Sequence, residues 1–433
     1  MSSFSTYDLV TLSKSHGQFL DIGIPGSKSA TIRALLLSAG LNHTTTIHNV
    51  LRSDDTEVML EALKKLGASI EFSNTNTLTL TGPLTYTKEK MEFYLGESGL
   101  SLRLLLVHLS LFGKGPIYFN GQGRLLHRPL EGLIKPLRKF GVSIDIESDC
   151  IKIIPHSLPC ASVEISIDPS VSSQWISALA MALAHHPFGG TLSFTKPFTS
   201  RAYLDVTSEW LHIFGCKQNI ESFQWKIPGG LISPRTCSIE GDWSSAAAFI
   251  LASATQGIPL CLKGLEEKTL QGDRFLLEIL SRSSVGHRWK GGELHIEGKL
   301  KQGIREDLSS CPDLAPVLAA ACVFGTEPSH LKGLQTLPDK ESDRLQKIQE
   351  LIHWLGGTCE IKDRSEVTIY PRTSIKRPSG AFDPDHDHRM AFAAALGALQ
   401  TGGTVLNPTC VNKTFPRFWG EWENMIGRRS RFM

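Results

Sequence analysis

One segment sets the pattern of the whole chain: IPGSKSATIRALLLSAG, residues 24–40. A Pro-Gly pair ends the preceding strand-like run, Ser27 and Ser29 are good helix N-caps, and the following residues are almost wholly apolar. Lys28 lies at the helix start, and Arg33 lies one helical turn after Ser29 on the same face. Backbone N–H groups, hydroxyls and two cations at one helix start suit an anion such as phosphate. The spacing is not that of a Walker loop. An ordinary capped helix fits the segment equally well.

The length and composition of the chain exclude several classes of protein. With 433 residues, the chain exceeds what one core usually organises, so two domains are expected. An apolar content of 41% and a charged content of 20% are typical of a globular protein. The net charge of +2 gives no reason to expect a nucleic-acid partner. Any attraction for anions must therefore come from local clusters of cations.

The nine cysteines are scattered and include no C-x-x-C pair. An odd number of cysteines without metal-ligand spacing indicates reduced, mostly buried thiols. The chain begins without a basic-then-apolar signal, and its apolar runs are too short to span a bilayer. We therefore expect a cytoplasmic protein without a membrane partner.

A first kind of helical segment opens with Ser, Asp or Gly and continues almost wholly apolar. Its spacing of roughly 70 residues indicates an internal repeat. The copies begin near Ser27, Ser98, Ser170, Asp242, Ser309 and Asp385.

A second kind of segment alternates with the first. It is amphipathic, begins at a polar or basic cluster and usually ends at Gly. The copies run from Ser53 to Gly67, His127 to Gly141, Ser200 to Gly215, Gly272 to Leu280, Lys340 to Gly356, and Asn412 to Trp422.

The repeat therefore consists of an apolar helix, a strand, an amphipathic helix and one or two further strands. A helix without a polar face must be buried on all sides, so sheets should cover these helices. Six copies divide most simply into two domains of three, with a boundary near Ile239-Glu240-Gly241-Asp242. We predict an α/β protein with one domain at 24–240 and a discontinuous domain at 1–23 plus 241–433.

The helix starts share cations and small hydroxyls, with three carboxylates among them. If several starts face one cleft, their dipoles and side chains form an anion-selective site. Carboxylates inside such a site suggest proton transfer at the reacting centre of a polyanionic substrate. The cations and hydroxyls are Lys28, Ser29, Arg33, Arg103, Arg128, Ser172, Ser173, Ser200, Arg201, Lys340, Arg344, Arg389 and Lys413; the carboxylates are Asp313, Glu341 and Asp343.

Seven stretches of the chain match the motifs of one known family, in the same order. They are Pro25 to Ser29 with Arg33, Ser172 to Gln174, Ser200 with Tyr203, Pro312-Asp313, Lys340 to Leu345, Asp387 to Met390, and Lys413 to Pro416. Over nearly its whole length the chain thus resembles the 5-enolpyruvylshikimate-3-phosphate (EPSP) synthase family. That family is built as two domains of three βαβαββ units, the enolpyruvyl transferase fold, which agrees with the six repeats.

The resemblance implies transfer of the enolpyruvyl group of phosphoenolpyruvate to the 5-hydroxyl of shikimate 3-phosphate, with release of phosphate. It implies no metal and no organic cofactor, and we expect a monomer. Asp313 would take the proton of the 5-hydroxyl, and Glu341 and Lys28 would handle the proton at the methylene carbon.

The resemblance also implies two sets of substrate contacts. The set for shikimate 3-phosphate is Lys28, Ser29, Arg33, Ser172, Ser173, Ser200, Asp313 and Lys340. The set for phosphoenolpyruvate is Lys28, Gly99, Arg128, Gln174, Arg344, Arg389 and Lys413.

The chain departs from the family pattern in the loop before the second apolar helix. The usual Gly-Asn-Ala-Gly-Thr reads here Gly-Glu-Ser-Gly-Leu, residues 96–100. Glu97 would place negative charge beside the phosphoenolpyruvate pocket, and Leu100 lacks the usual hydroxyl. We therefore expect weaker inhibition by glyphosate than in typical members.

Three alternatives remain open. The related transferase that acts on UDP-N-acetylglucosamine shares the fold but carries a Cys in a loop that here, at 115–124, has none. A non-catalytic anion-binding relative would be expected to lack Lys28, Asp313, Glu341 or Lys413, and all four are present. The run from Asp385 to His388 offers metal-ligand residue types, but Asp387 reads better as a helix cap.

Overall fold

The computed structural model describes residues 5–9, 20–170, 172–196, 201–374 and 376–426. These residues form two compact units. The middle unit spans Gly26–Glu240, and the terminal unit combines the described residues up to Pro25 with those from Gly241 onward. The domain assignment made from the sequence stays a prediction, because compactness does not show that either unit folds independently.

The described helices alternate between the two kinds that the sequence predicts. They are Lys28–Ala39 (α1), Asp54–Lys65 (α2), Gly99–Phe112 (α3), Glu131–Arg138 (α4), Ser173–His185 (α5), Arg201–Ile213 (α6), Trp243–Gln256 (α7), Leu276–Arg282 (α8), Ala315–Cys322 (α9), Arg344–Trp354 (α10), His388–Thr401 (α11) and Phe418–Ile426 (α12).

The described strands are short. They are Thr6–Leu9 (β1), Leu20–Gly23 (β2), Thr44–His48 (β3), Ser69–Asn74 (β4), Thr77–Thr81 (β5), Met91–Tyr94 (β6), Ile117–Asn120 (β7), Ser143–Ile146 (β8), Ile151–Ile154 (β9), Val163–Ile167 (β10), Gly190–Phe194 (β11), Asn219–Ile220 (β12), Gln224–Ile227 (β13), Thr236–Ser238 (β14), Leu260–Lys263 (β15), Gly286–Lys290 (β16), Glu293–Glu297 (β17), Arg305–Asp307 (β18), Ser329–Lys332 (β19), Thr358–Lys362 (β20), Glu366–Tyr370 (β21), Ala381–Phe382 (β22) and Gly403–Leu406 (β23).

The sheets repeat one arrangement, which confirms the predicted α/β class. The middle unit has the strand orders β14-β3-β5-β4, β6-β7-β9-β8 and β10-β11-β13-β12. The terminal unit has β16-β17-β15-β2, β18-β19-β21-β20 and β1-β23-β22. Each sheet contains one parallel pair, such as β6 with β7, and an antiparallel partner beside it. A parallel pair requires a crossover, and in the four sheets whose parallel strands are consecutive in the chain, such as β6 and β7, an apolar helix supplies it.

Two strands each precede a helix of one unit but pair with a sheet of the other unit. β2 precedes α1 but pairs in parallel with β15, and β14 precedes α7 but pairs in parallel with β3. The first and fourth sheets therefore exchange their opening strands. This exchange places the two crossings between the units at Pro25–Gly26 and Glu240–Gly241.

The apolar helices are buried, as predicted from their lack of a polar face. Every residue of α1 from Ala30 to Ala39 is buried, and so is every residue of α3 from Gly99 to Leu111. Each unit has its own core cluster, in which the apolar helices are covered by the sheets. At about 25 cal/mol per Å² of apolar surface, this burial is the main stabilising contribution to either unit.

The sixth repeat differs from the prediction in two ways. The predicted amphipathic helix from Asn412 to Trp422 is wrong: residues 408–413 form a 3-10 turn, and α12 begins only at Phe418. Pro416 lacks a backbone N–H and its ring would clash with the preceding turn, which disfavours a helix running from Asn412 through this position. Within the described residues, the sixth repeat has no closing hairpin of its own; β1, from the other end of the chain, pairs antiparallel with β23 instead.

None of the described helices combines the length and the apolar character needed to cross a membrane.

Candidate active site

The start of α1 presents Lys28 to a carboxylate that the sequence reasoning missed. Ser27 caps the helix by accepting a hydrogen bond from the Ala30 N–H. Lys28 Nζ lies 2.7 Å from Asp55 Oδ2, and both side chains are largely buried. Asp55 lies in the first turn of α2, where an acidic side chain interacts favourably with the helix dipole. From the sequence alone it therefore cannot be distinguished from an ordinary charge at a helix end.

The first three helix starts of the middle unit are joined through Asp55. Its backbone carbonyl accepts hydrogen bonds from Ser98 Oγ and Ser101 Oγ, each at 3.4 Å. These serines lie at the start of α3, while the Asp55 side chain contacts Lys28 on α1. The N-terminal ends of α1, α2 and α3 therefore meet. The dipoles of the three helices favour an anion at that point.

Arg33 is a buried cross-link rather than an exposed cation. Its side chain is 1% exposed. It donates from Nε to Thr207 Oγ1 at 2.8 Å, from Nη1 to the Ser29 carbonyl at 2.8 Å, and from Nη2 to Ser177 Oγ at 3.4 Å. Burial lowers the pKa of Arg33 to about 10, which still leaves it charged at neutral pH. These bonds tie α1 to α5 and α6, so Arg33 fixes the position of Ser29.

Two further guanidinium groups lie against Gly99. Arg103 Nη1 donates to the Gly99 carbonyl at 2.8 Å. A Cβ atom added to Gly99 would lie 2.2 Å from Arg128 Nη1 and 2.8 Å from Arg103 Nη1. Only a glycine lets both cations approach the start of α3 this closely. Arg103 was counted among the helix-start cations but was not assigned to a substrate.

The start of α5 carries the predicted Ser-Ser-Gln stretch. Ser172 caps the helix by accepting a hydrogen bond from the Gln174 N–H at 3.3 Å, and Ser173 is buried. Gln174 Oε1 is buried without a hydrogen-bond partner among the described residues. A buried amide oxygen without a donor is costly, so a ligand that donates a hydrogen bond would stabilise it. Ser200 lies outside the described residues.

In the terminal unit, Arg344 is the centre of a carboxylate cluster. Its side chain is 1% exposed and donates to Asp387 Oδ2 at 2.6 Å, Asp313 Oδ1 at 2.8 Å and Glu341 Oε2 at 2.5 Å. Burial alone would lower the pKa of Arg344, but the carboxylates of Asp387, Glu341 and Asp313 raise it above its ordinary value. Arg344 therefore holds both predicted proton-transfer carboxylates in place.

Asp313 is surrounded by cations. Its carboxylate lies 2.8 Å from Arg344 Nη1, 3.1 Å from Arg389 Nη2 and 3.4 Å from Lys340 Nζ. Its side chain is 11% exposed. The terminal unit thus brings together four predicted site residues, Asp313, Lys340, Arg344 and Arg389, within one ion-pair network. Their order along the sequence alone does not show that they are in contact.

Asp387 is the helix cap that the sequence reasoning favoured over a metal ligand. It caps α11 by accepting a hydrogen bond from the Arg389 N–H at 3.0 Å, and it also accepts from Ser342 Oγ and from Arg344. Its side chain is fully buried. Its oxygens are therefore committed to fixing Arg344 and the first turn of α11.

Arg389 has two further neighbours that the sequence reasoning missed. Its Nη2 donates to Ser244 Oγ at 3.2 Å, and its Nη1 lies 4.0 Å from Asp273 Oδ2. Ser244 in turn donates to Asp273. Burial raises the pKa of Asp273 to about 6, against the opposing effect of Arg389. Asp273 lies in a Gln-Gly-Asp turn, and nothing in its spacing distinguishes it from a surface turn residue.

Two other predicted residues have partners in the same unit. Lys413 Nζ donates to the His386 carbonyl at 2.5 Å and is 7% exposed. Asp343 accepts a hydrogen bond from the Gln346 N–H, which makes it the cap of α10. The Asp343 side chain thus stabilises the start of α10.

Glu97, the main departure in the loop before α3, points toward the turn after β7. A Cβ atom added to Gly123 would lie 2.0 Å from Glu97 Oε1. Leu100 is buried in the middle core. The effects expected from Glu97 on affinity and on glyphosate inhibition stay predictions.

Solved structures similar to this chain have the fold of the enolpyruvyl transferases. An EPSP synthase from Acinetobacter baumannii matches with a TM-score of 0.78 and 24% identity, covering 99% of this chain and 100% of that one. An enolpyruvyl transferase from Streptomyces tendae matches with a TM-score of 0.75 and 17% identity, covering 99% and 98%. At such identities the likeness shows the fold, which confirms the predicted architecture.

Sequence similarity shows the family. The family model described as EPSP synthase (3-phosphoshikimate 1-carboxyvinyltransferase) matches residues 18–422, and the chain belongs to this family. Proteins named 3-phosphoshikimate 1-carboxyvinyltransferase are 31% identical in Shewanella pealeana and 32% identical in Yersinia pestis. Each match covers 93% of this chain and at least 95% of the relative. The resemblance found from the motifs is thereby confirmed.

Proposed function

We propose that the chain transfers the enolpyruvyl group of phosphoenolpyruvate to the 5-hydroxyl of shikimate 3-phosphate and releases phosphate. Membership of the EPSP synthase family supports this reaction. The observation that carries the assignment to residues is the Arg344 cluster, where one buried guanidinium holds Asp313 and Glu341 side by side.

The substrates carry two carboxylates and two phosphates, so the enzyme must supply many cations. The middle unit offers Lys28, Arg33 and Arg128, and the terminal unit offers Lys340, Arg344, Arg389 and Lys413. Carboxylates such as Asp55 for Lys28 and Asp313 for Arg389 lie close to these cations. Substrate anions would share these cations, with charge-assisted hydrogen bonds from each guanidinium.

Three side chains would move the protons. Asp313 accepts the proton of the 5-hydroxyl while the hydroxyl oxygen attacks the substituted carbon of phosphoenolpyruvate. At the same time a proton is delivered to the methylene carbon of phosphoenolpyruvate. The carbon–phosphate oxygen bond then breaks, and loss of a proton from the new methyl group restores the double bond. We assign the proton at this carbon to Glu341 and Lys28. The positive charge that develops at the reacting carbon is stabilised by a neighbouring carboxylate.

The remaining substrate contacts that we propose are those implied by the resemblance to the family. Ser29, Arg33, Ser172, Ser173, Ser200 and Lys340 would hold shikimate 3-phosphate, and Gly99, Arg128, Gln174, Arg344, Arg389 and Lys413 would hold phosphoenolpyruvate.

The free thiols of all nine cysteines support a reducing, cytoplasmic location. We propose a monomer.

Phosphate release with different acceptors tests the function. With phosphoenolpyruvate present, release is expected with shikimate 3-phosphate and not with UDP-N-acetylglucosamine. The reverse result would assign the chain to the related transferase. No release with either acceptor, from a protein that still binds both anions, would point to a non-catalytic relative.

Replacement of Gly99 by Ala is expected to raise the KM for phosphoenolpyruvate by about 10- to 100-fold and to change the KM for shikimate 3-phosphate much less. The added methyl group would displace Arg128 and Arg103, and small misplacements of a positioning group cost up to about 100-fold. Steady-state kinetics with each substrate varied in turn measure the effect. Gly420→Ala is the control, because a Cβ atom there meets open space. Equal increases in both KM values would contradict the assignment of Gly99.

Replacement of Asp273 by Asn is expected to raise the KM for phosphoenolpyruvate about tenfold at pH 7.5, or about 1.4 kcal/mol. Above pH 6 the Asp273 carboxylate is ionised and attracts Arg389; below pH 6 it is neutral, like the amide. The ratio of variant to wild-type KM should therefore fall toward one between pH 7.5 and pH 5. Protonation of phosphoenolpyruvate itself changes both KM values by the same factor, so it cancels in their ratio.

Asp363→Asn, at an exposed turn of the same unit, is the control for Asp273. Its KM ratio should stay near one at every pH. A ratio for Asp273→Asn that does not change with pH would show that the Asp273 charge does not act on Arg389.

A further inference from the structure

A second cluster of chemically reactive side chains lies on the sheet β16-β17-β15-β2, and none of its members belongs to the candidate active site. Cys261 on β15 lies directly opposite Asp21 on β2 and opposite His295 on β17. Glu293 precedes His295 by two residues and so lies on the same face of β17. The alternate residues Leu262, Leu294 and Ile296 are buried in the terminal core. We call Cys261, Glu293 and His295 the Cys261 cluster.

The three donor atoms of the Cys261 cluster are close together. Cys261 Sγ lies 3.2 Å from Glu293 Oε2 and 4.0 Å from His295 Nε2, and these last two atoms are 4.0 Å apart. In tetrahedral zinc sites, metal–ligand distances of about 2.0–2.3 Å place donor atoms about 3.3–3.8 Å apart. Shifts of about 0.5 Å would bring the three atoms onto one ion. Side-chain rotation suffices for shifts of this size.

The charges around the cluster leave an excess of negative charge. Lys263 Nζ lies 2.8 Å from Asp21 Oδ2 and 3.8 Å from Glu293 Oε1, so one ammonium serves two carboxylates. Arg288, opposite His295 on β16, is paired with Glu297. Glu293 Oε2 faces Cys261 rather than Lys263. A divalent cation that replaces the thiol proton of Cys261 would balance the remaining charge.

The ligand types select among metals. A thiolate, an imidazole and a carboxylate together suit Zn²⁺, whereas Mg²⁺ and Ca²⁺ prefer oxygen ligands alone. Cys261 is 2% exposed, so a bound ion would be shielded from competing water at the sulfur. We propose that Cys261 Sγ, Glu293 Oε2 and His295 Nε2 form a Zn²⁺-binding site on the outer face of this sheet. Asp21, which hydrogen bonds Cys261, lies beside it.

A different group, Glu147, Asp149 and Cys150, also brings three donor atoms together in the middle unit. It lies in the turn between β8 and β9, where both carboxylates are exposed, and it has no imidazole. Exposed carboxylates keep their hydration and bind divalent ions weakly. We therefore do not propose a metal site at this group, but its cysteine supplies a matched control.

Titration of the full-length protein with Co²⁺, after treatment with a chelator, tests the site. Co²⁺ takes the same tetrahedral ligands, and a bound thiolate gives a charge-transfer band in the near-ultraviolet. We expect this band to saturate at one equivalent and to be displaced by Zn²⁺. The thiol of Cys261 must lose its proton to bind the ion, so binding should release one proton. Calorimetry of Zn²⁺ binding in buffers of different ionisation enthalpy measures that release.

Cys261→Ser should abolish the band, His295→Gln should weaken Zn²⁺ binding at least about 100-fold, and Cys150→Ser should leave both unchanged. Enolpyruvyl transfer by the metal-free Cys261→Ser protein should equal that of the wild type, which shows that the variant is folded. A wild-type protein without the band would overturn the proposal. So would a band that persists in Cys261→Ser or disappears in Cys150→Ser.

Discussion

Replacing Arg344 by Lys is expected to lower kcat/KM at least about 10³-fold and to lower the free energy of unfolding by about 3–5 kcal/mol. The loss of stability follows because Asp387 is fully buried and accepts hydrogen bonds from two nitrogens of the guanidinium, which one ammonium cannot replace. The loss of activity follows because Lys28, Asp313 and Glu341 act together in the proposed mechanism. A single ammonium cannot hold Asp313, Glu341 and Asp387 at once, since it lacks the planar fork of the guanidinium.

Chemical denaturation and steady-state kinetics measure the two effects of Arg344→Lys. Arg364→Ala is the control, because Arg364 pairs with Asp343 while 74% of its side chain is exposed, so little stability is lost. A variant of Arg344 that keeps wild-type stability and activity would show that the carboxylate cluster does not depend on this guanidinium. The proposed arrangement of Asp313 and Glu341 would then be wrong.

Replacing Asp313 by Asn is expected to lower kcat by about 10²–10⁴-fold, the usual range for loss of a positioned general base. The amide has nearly the same shape, so it can remain between Arg344, Arg389 and Lys340, but it cannot accept the proton of the 5-hydroxyl. Single-turnover experiments with both substrates separate this chemical step from binding. The rate of phosphate formation should fall while both substrates still bind.

Asp363→Asn is the control for Asp313, because it makes the same chemical change at an exposed turn of the same unit. Its rate should match that of the wild type. If Asp313→Asn keeps a rate within tenfold of the wild type, Asp313 is not the base. If the variant unfolds, Asp313→Glu, which keeps a carboxylate, should restore the fold and part of the rate.

The sequence predicted the helices better than it predicted how strands are shared between sheets. Apolar runs such as 30–39 can only be buried helices, and local caps such as Ser27 and Asp387 mark their starts. The pairing of β2 with β15 and of β14 with β3 involves residues more than 180 positions apart. No local pattern specifies which sheet a short edge strand joins. The sixth repeat was predicted wrongly because a helix start was placed before Pro416.

The site shows the same division between local and long-range information. The cations at helix starts could be predicted because each lies beside a cap or a basic cluster. Their partners could not be predicted. Asp55 lies in the first turn of a helix and Asp273 in a short 3-10 segment, where acidic residues are common, and they meet Lys28 and Arg389 only in the folded chain. Arg33 illustrates the limit most clearly. It lies at a helix start like the others, yet its 1% exposure makes it a link between α1, α5 and α6.

The most direct test of the proposed function is a ³¹P NMR spectrum of the wild-type enzyme with equal amounts of phosphoenolpyruvate and shikimate 3-phosphate. We predict that the resonances of both substrates decrease together. Inorganic phosphate and a single new phosphomonoester, the carboxyvinyl ether of shikimate 3-phosphate, should appear in equal amounts. Phosphate that appears while shikimate 3-phosphate remains unchanged, or a spectrum that does not change at all, would contradict the proposed transfer.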